Sequence, residues 1–483
     1  LESMFSASLP PLASDTFMRV DLKAEAFFVP NRLLYGGYMD WLTGQPAYDP
    51  SVGTYKAVGI PRLQVNQASI DLMPIFDYMG CRFKFGSGDS LFYCNLLPFL
   101  AYHRVYDDWY RAPLIQKKVF NSPMFDGGFS AVGRPSTIPY ISTVSGSNKT
   151  FSAADTFDDG VAIGTLRQRN FGFDYFTTAL PSPQLGSAKG VSFTVSEGAG
   201  TISIAAIRAA NSLQQFSERN ALAGYKYADY LEANYGANLS SGVAQQSILL
   251  GSGSVPVYSK GVYQQSPFES ASAPTTNPFA NSPGAQFGSA VCQGSVSFAK
   301  NFVAQEPGYV LVLVSLVPRV TYSNGIDRMF FRYNTDESQT DMATPLLQNV
   351  GNQPIYSAEL TGSISEFNSK AVFGWSDRYA DFKYKNDRLC TLLRDGNSLD
   401  VFALQRSVEG SPTINSDFLK IPTDYMDQVA AVADSISQYG FWLDCYHRYR
   451  VSMPLAPFAI PSLQDPAYEH GKSVTVEVGG KRL

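Results

Sequence analysis

The amino-acid sequence predicts a mainly β protein, a β-sandwich core opened by long, partly helical insertions. Three observations predict it. The run from Gly308 to Val317 is apolar and β-branched almost without interruption, the pattern of a strand buried on both faces. Other strand-like runs lie near Ala26, Val291, Phe441 and Thr475, separated by excursions far longer than a hairpin turn needs. Charged residues make up only 16% of the 483, well under the roughly 25% typical of soluble domains, while 13% are aromatic, side chains that favour strands.

Taken in order, Ala26 to Val29 is a short strand that turns at Pro30-Asn31. After Gly36-Gly37 the pattern stays irregular to Leu63, and Asp71 to Tyr78 fits either a short helix or a strand. Phe92 to Tyr110 contains the first helix, after a turn at Pro98, with Leu100, Val105 and Trp109 near helical spacing. Residues 113–178 have no sustained period and read as long connecting structure. The clearest helix follows, capped by Thr201 or Ser203. Ile204, Ile207, Ala210, Leu213 and Phe216 recur along it until a break at Gly224. A shorter helix holds Tyr227, Tyr230, Leu231 and Asn234 and stops at Gly236.

Residues 237–291, rich in Ser, Gly, Pro, Gln and Asn, read as a stretch without secondary structure whose partners come from neighbouring subunits. The Gly308 run is expected at the centre of a sheet, with Val291–Phe298 paired beside it. Tyr439–Met453 is a further strand, and Thr475–Val478 alternates as a short half-buried one before Lys481-Arg482.

Composition narrows the function classes. A surface short of charge and rich in Phe (33) and Tyr (28) suits a chain that buries itself against copies of itself. A large secreted or glycan-binding β protein fits the same numbers. A net charge of −5 argues against the whole chain acting as a polyanion binder. The five cysteines, Cys81, Cys94, Cys292, Cys390 and Cys445, are scattered without a CxxC and read as free thiols made in a reducing compartment. No apolar run is long enough for a membrane-spanning helix. The chain starts at Leu1 without Met or a signal-type segment, so a leading piece is expected to be absent.

Catalytic chemistry finds little support. His103, His447 and His470 lie far apart, with no HExxH, GxSxG, Walker A or dinucleotide fingerprint. The expectation is a protein that is not an enzyme and has neither cofactor nor transition metal. Asp155, Asp158 and Asp159 are weak calcium candidates without EF-hand spacing. Two clusters suit unpaired nucleic acid, where basic groups neutralise phosphates and rings stack on bases. In the first, Arg378, Lys383, Lys385 and Arg388 interleave with Trp375, Tyr379, Phe382 and Tyr384, but Asp377, Asp381 and Asp387 permit internal ion pairs instead. The second places His447, Arg448 and Arg450 beside Tyr446 and Tyr449, where interface hydrogen bonding competes.

An ordered set of segments resembles the major capsid proteins of the gokushovirus-like branch of the Microviridae. It begins with Ala26-Phe27-Phe28-Val29-Pro30-Asn31-Arg32-Leu33, then Leu97-Pro98-Phe99-Leu100-Ala101-Tyr102 with Asp108-Trp109-Tyr110-Arg111. Asp174-Tyr175-Phe176-Thr177-Thr178-Ala179-Leu180-Pro181-Ser182-Pro183-Gln184 is similar to a family signature. Glu218-Arg219-Asn220-Ala221, Gly224 to Tyr227, Thr321-Tyr322 and Gly325 to Met329 continue the order. Phe373-Gly374-Trp375, Arg378 to Lys385, Leu399 to Phe402 and Met453-Pro454 complete it.

The resemblance implies an eight-stranded antiparallel jelly roll over residues 1–483, with insertions at about 36–180, 185–290 and 330–440. It implies sixty copies in a T=1 shell around single-stranded DNA, held by five-, three- and two-fold contacts. It also implies a small basic DNA-binding protein, a minor pilot or spike protein and a host surface receptor as partners. The location it implies is the virion, with synthesis and assembly in the bacterial cytoplasm. Two departures from the family are expected: Leu1 falls inside the matched region, so the family's N-terminal arm is deleted or disordered, and the loop after Gln184 is short, predicting little protrusion there. A phage tail or receptor-binding β protein and a secreted carbohydrate-active β protein remain as alternatives.

Overall fold

The computed structural model describes residues 1–12, 16–35, 38–43, 47–49, 54–56, 60–66, 74–81, 84, 91–120, 150–183, 208, 212, 215–216, 227–236, 245–264, 286–298, 301–332, 352–430, 441–454 and 473–478. Its strands, in chain order, begin with β1 (Glu2–Ser8) and β2 (Val20–Pro30). Short strands β3 (Ala47–Asp49), β4 (Thr54–Lys56), β5 (Arg62–Val65), β6 (Phe92–Asn95) and β7 (Thr150–Ser152) follow. Then come β8 (Ile248–Gln264), β9 (Gln286–Ser297), β10 (Gly308–Pro318), β11 (Thr321–Tyr322), β12 (Asn352–Tyr356) and β13 (Val372–Asp377). The last are β14 (Asp387–Arg388), β15 (Trp442–Pro454) and β16 (Ser473–Val478).

The fold is mainly β, built on a seven-stranded sheet of order β10-β2-β8-β9-β1-β15-β16. Every neighbouring pair in it is antiparallel. The sheet curls into a partly open half-barrel. Alternation along β2 explains how one strand serves two layers: Val20, Leu22, Ala24 and Ala26 point into the curl, while Phe27 and Val29 point outward under a second cluster. Phe5 and Ala7 of β1, Val255 and Val257 of β8, Cys292 and Val296 of β9 and Cys445 of β15 fill the same interior.

Glycines permit the curl. A Cβ on Gly253 would lie 2.5 Å from the Val296 side chain, and one on Gly294 would lie 2.7 Å from Val255. The two halves of the sheet therefore approach face to face where β8 leaves β2 for β9.

Several sequence expectations change here. β10 forms the end of the sheet, bonded to β2 alone among the described strands, rather than its centre. Its two-faced apolar pattern has another source: Tyr309, Leu311 and Leu313 pack on the outer cluster and Val312, Val314 and Leu316 on the interior. β9 pairs with β8 and β1, not with β10. β8 runs for 17 residues through the stretch read as unstructured, so 185–290 supplies a full strand of the main sheet. The helix expected at 203–219 lies mostly outside the described residues. The shorter one is present as Tyr227–Tyr235, ended by Gly236 at φ +64°. The ambiguous stretch ending at Tyr78 contains a helix, Ile75–Tyr78.

The outer cluster belongs to the first insertion. Phe92 to Asn95 is strand, and the helix begins only at Leu97, where the Asn95 carboxamide accepts the Leu97 N–H at 2.9 Å. The helix runs to Val105 and widens into a π-helical turn, Tyr106–Tyr110. That turn fastens the insertion to the sheet. Asp108 accepts the Ser247 N–H and hydroxyl at 2.8 and 2.9 Å, the Trp109 indole donates to Ser247, and the Tyr110 hydroxyl bonds Glu25 on β2. Arg169 adds a 2.7 Å ion pair to the same Glu25.

His103 sits at the heart of this cluster with no exposed surface. Its Nε2–H donates to the Ile163 carbonyl at 2.9 Å and its Nδ1 accepts from Arg167 Nε at 2.7 Å, which fixes a neutral tautomer. Burial first, and Arg167 second, hold its pKa well below the usual 6.5. Burial lowers that of His447 as well. The unfolded chain therefore binds protons below pH 6.5 that the folded chain refuses. Stability is expected to fall as pH drops below 6.5, by up to about 1.4 kcal/mol per pH unit for His103. Urea midpoints measured from pH 7 to 5 should show this slope, and His103→Gln should flatten it.

Candidate nucleic-acid interface

The first aromatic-basic cluster forms where β13 leaves its partner β12. Trp375 is half-buried, and its backbone exchanges hydrogen bonds with Leu180 at 2.7 and 2.8 Å, bringing the 174–183 segment alongside. Beneath the two lies a buried group of Tyr175, Phe176, Ala179, Tyr322, Ile355, Leu360, Phe373 and Ala380. The chain then turns sharply. Tyr379 adopts φ +65°, donates its N–H to the Gln353 carboxamide at 2.8 Å, and starts a single helical turn, Ala380–Lys383.

The charges divide into engaged and available. Asp381 is held by Arg332 at 2.8 Å and by Gln353 at 3.1 Å, and Asp387 lies 3.1 Å from both Arg19 and Arg319. Arg388 pairs with Asp327 at 2.8 Å, and half-buried Arg378 lies 5.9 Å from the Tyr379 ring. Asp381 and Asp387, two of the acids foreseen as competitors, are thus taken up by Arg332, Arg19 and Arg319, arginines from outside the cluster. Lys383 and Lys385 are exposed and make no ion pair among the described residues. Phe382 is 73% and Tyr384 54% exposed beside them. An exposed Phe-Lys-Tyr-Lys run offers rings for stacking and cations for phosphates. Nothing local in the sequence marks Arg332, 49 positions before Asp381, as the group that frees these lysines.

The second cluster lies on β15, in the main sheet. His447 is half-buried and hydrogen-bonded to the Ser3 hydroxyl at 2.7 Å, while Arg448, Tyr449 and Arg450 are exposed. The register sets Glu2 opposite Arg448 and Glu477 opposite Arg450, so acidic positions face both arginines across the ladder.

In the acidic loop, Asp159 forms an ion pair with Arg167, and Asp155 accepts the Ser152 N–H at 2.8 Å. Among the described residues no group of three His, Cys, Asp or Glu side chains is placed to hold a metal. All five cysteines are free thiols. Cys390 is exposed, whereas burial pushes Cys94 up to about 12 and Cys445 up to about 11.

Below the first cluster sits a hub that the sequence does not reveal. Glu359, buried to 4% side-chain exposure, accepts from Arg328 at 3.2 Å, from the Tyr175 hydroxyl at 3.2 Å and from the Tyr356 N–H at 3.0 Å. Burial pushes its carboxyl up, and Arg328 pulls it back. The Arg328 guanidinium also lies over the Tyr356 ring at 4.4 Å and donates to the Pro354 carbonyl.

Comparison with known proteins supplies what the geometry alone does not. The family model described as "Capsid protein (F protein)" matches residues 2–199 and 194–463. The chain is 24% identical to the capsid protein VP1 of Chlamydia phage 1, across 94% of this chain and 89% of that one. It is 23% identical to VP1 of Bdellovibrio phage phiMH2K, across 90% and 84%. VP1 of Spiroplasma virus 4 is 24% identical over 54% of the chain and 46% of its own length.

Proposed function

Because the chain belongs to the phage capsid protein (F protein) family, we propose that it is the major coat protein of a small single-stranded DNA phage of the gokushovirus-like Microviridae. At the coarser level it is a viral structural protein, homologous to VP1 capsid proteins. The observation behind the finer reading is the continuity of the match, which follows both the main sheet and its insertions through residue 463. The charge-poor, aromatic composition supports it. The curled sheet is then the core of an eight-stranded jelly roll interrupted at about 36–180 and 330–440, with 185–290 contributing β8 to the sheet. Sixty copies close a T=1 shell around the genome, each contact modest and the whole held by multivalency. Such a protein needs no catalytic centre and resides in the virion after synthesis in the bacterial cytoplasm.

In this reading Trp375, Arg378, Tyr379, Lys383, Tyr384, Lys385 and Arg388 face the shell interior, and His447, Arg448 and Arg450 are a second, weaker candidate contact. A net charge of −5 leaves most of the DNA charge to a small basic protein or to counterions. A minor pilot or spike protein and a host receptor complete the partners. The test is direct. The expressed chain should sediment as particles of one uniform diameter in negative-stain micrographs. Monomers at every concentration would sink the coat-protein reading, and Arg378 and Lys383 on the outside of a reconstructed particle would sink their assignment to DNA.

A further inference from the structure

One carboxylate holds two open guanidinium groups. Asp387 Oδ2 lies 3.1 Å from Arg19 Nη1 and 3.1 Å from Arg319 Nε, and the two arginine side chains are 67% and 66% exposed. In the ion pairs of Arg388, Arg169, Arg332 and Arg328 the arginine is 29% exposed or less. Those pairs fasten the fold, whereas pairs as open as the Asp387 two contribute little to stability. Most of each guanidinium stays in water with its donors available. One negative charge against two positive ones also leaves the group cationic.

The backbone fixes where these charges sit. Arg19 immediately precedes β2, Arg319 immediately follows β10, and the Arg319 N–H donates to the Arg19 carbonyl at 2.8 Å. Asp387 begins β14, set opposite Thr321 of β11. Lys385 stands two positions before Asp387 and Arg388 one after it, so the arginine pair continues the exposed Phe-Lys-Tyr-Lys run. Phe17, two positions before Arg19, adds a 72% exposed ring. Its N–H donates to the Phe402 carbonyl at 2.7 Å and its own carbonyl accepts the Leu404 N–H at 3.1 Å. Fixed, exposed cations in excess, interleaved with rings, complement a phosphodiester chain with unpaired bases.

We propose that Arg19 and Arg319 form a phosphate site for single-stranded DNA, and that Asp387 holds the place of the phosphate until the DNA arrives. Carboxylate and phosphate oxygens accept from a guanidinium in the same way. Asp387 keeps the two arginines converged and yields them in part when a phosphate oxygen enters. The inference rests on the nucleic-acid reading of the aromatic-basic cluster and extends that surface to the ends of two core strands.

The experiment measures binding of fluorescent oligothymidylate to the unassembled full chain over a range of salt, with thermal midpoints as the control for folding. Arg19→Ala with Arg319→Ala should keep the wild-type midpoint and reduce the slope of log affinity against log salt by about 0.7, the value of one single-strand phosphate contact. Arg319→Gln alone should lose as much slope, because the remaining Arg19 is neutralised by Asp387. Asp387→Asn should bind several-fold tighter than wild type. Lys118→Ala, which removes an exposed charge from the first insertion, should bind as wild type does. An unchanged slope in both arginine variants, or an equal loss from Lys118→Ala, overturns the proposal. Unchanged or weaker binding by Asp387→Asn overturns the place-holding role of the carboxylate. A wild-type chain that binds no oligothymidylate overturns the nucleic-acid reading and this site together. Loss from Lys383→Ala with Lys385→Ala, beside indifferent arginine variants, overturns this site alone.

Discussion

Replacing Arg328 with Ala is expected to lower the unfolding free energy by about 3–5 kcal/mol, because it strands a buried carboxylate. Glu359 and Arg328 are only 4% and 7% exposed, so water cannot take over the lost partner. The Tyr175 hydroxyl and the Tyr356 N–H remain, but two neutral donors do not replace a guanidinium. The loss should depend on pH in a defined sense. Without Arg328 the Glu359 pKa rises further, so the folded chain keeps a proton that the unfolded chain releases near its ordinary 4.5. Lowering the pH from 7 toward 5 should then recover part of the stability. Urea unfolding of the unassembled variant at several pH values measures both effects, and a pH-independent loss would show that Glu359 is not the affected group. Arg328→Met with Glu359→Gln should lose less than Arg328→Ala alone, since no unpaired charge is left.

Gly325→Ala is expected to lower stability by about 2–5 kcal/mol, combining backbone strain with overpacking. Gly325 has φ +132°, a conformation that L residues rarely adopt, and an added Cβ would lie 2.3 Å from the Glu359 backbone oxygen. That oxygen belongs to a helical turn, Ala358–Thr361, whose position is set by the hub just described. The turn cannot retreat without pulling Glu359 from Arg328. The two substitutions should therefore be non-additive, the double variant losing less than the sum. Thermal midpoints of the two single variants and the double variant test this, and strict additivity would disprove the coupling.

Different parts of this architecture were legible for different reasons. β10 could be read because ten successive residues without charge leave few alternatives to a buried strand. Its place at the end of the sheet could not, because pairing depends on segments hundreds of positions away. β8 was hidden by its own composition. Gly251, Gly253 and Gly261 read as loop punctuation, yet Gly253 is the position where the opposing half of the sheet comes too close for a side chain. The residue that allows the curl is the one that disguises the strand. In the aromatic-basic cluster the types and spacing were visible, but which cations stay free depends on Arg332, Arg19 and Arg319, drawn in from other elements. The capsid assignment itself came from resemblance, since composition allowed a glycan-binding protein equally well.

β1 lies inside the sheet, with Glu2 set against Ser297 on one side and Arg448 on the other. These are among the longest-range pairings a chain of this size can make, and folding that depends on them is slow. During synthesis, at about 5–20 residues per second, β1 waits on the order of 20–90 s before its partner on β15 leaves the ribosome. Until β9 is made Phe5 and Ala7 have no interior to enter, and until β15 follows one edge of the strand has no ladder. Production of this protein in a foreign host should accordingly be limited by chaperone supply during elongation, and slower translation would lengthen the exposure.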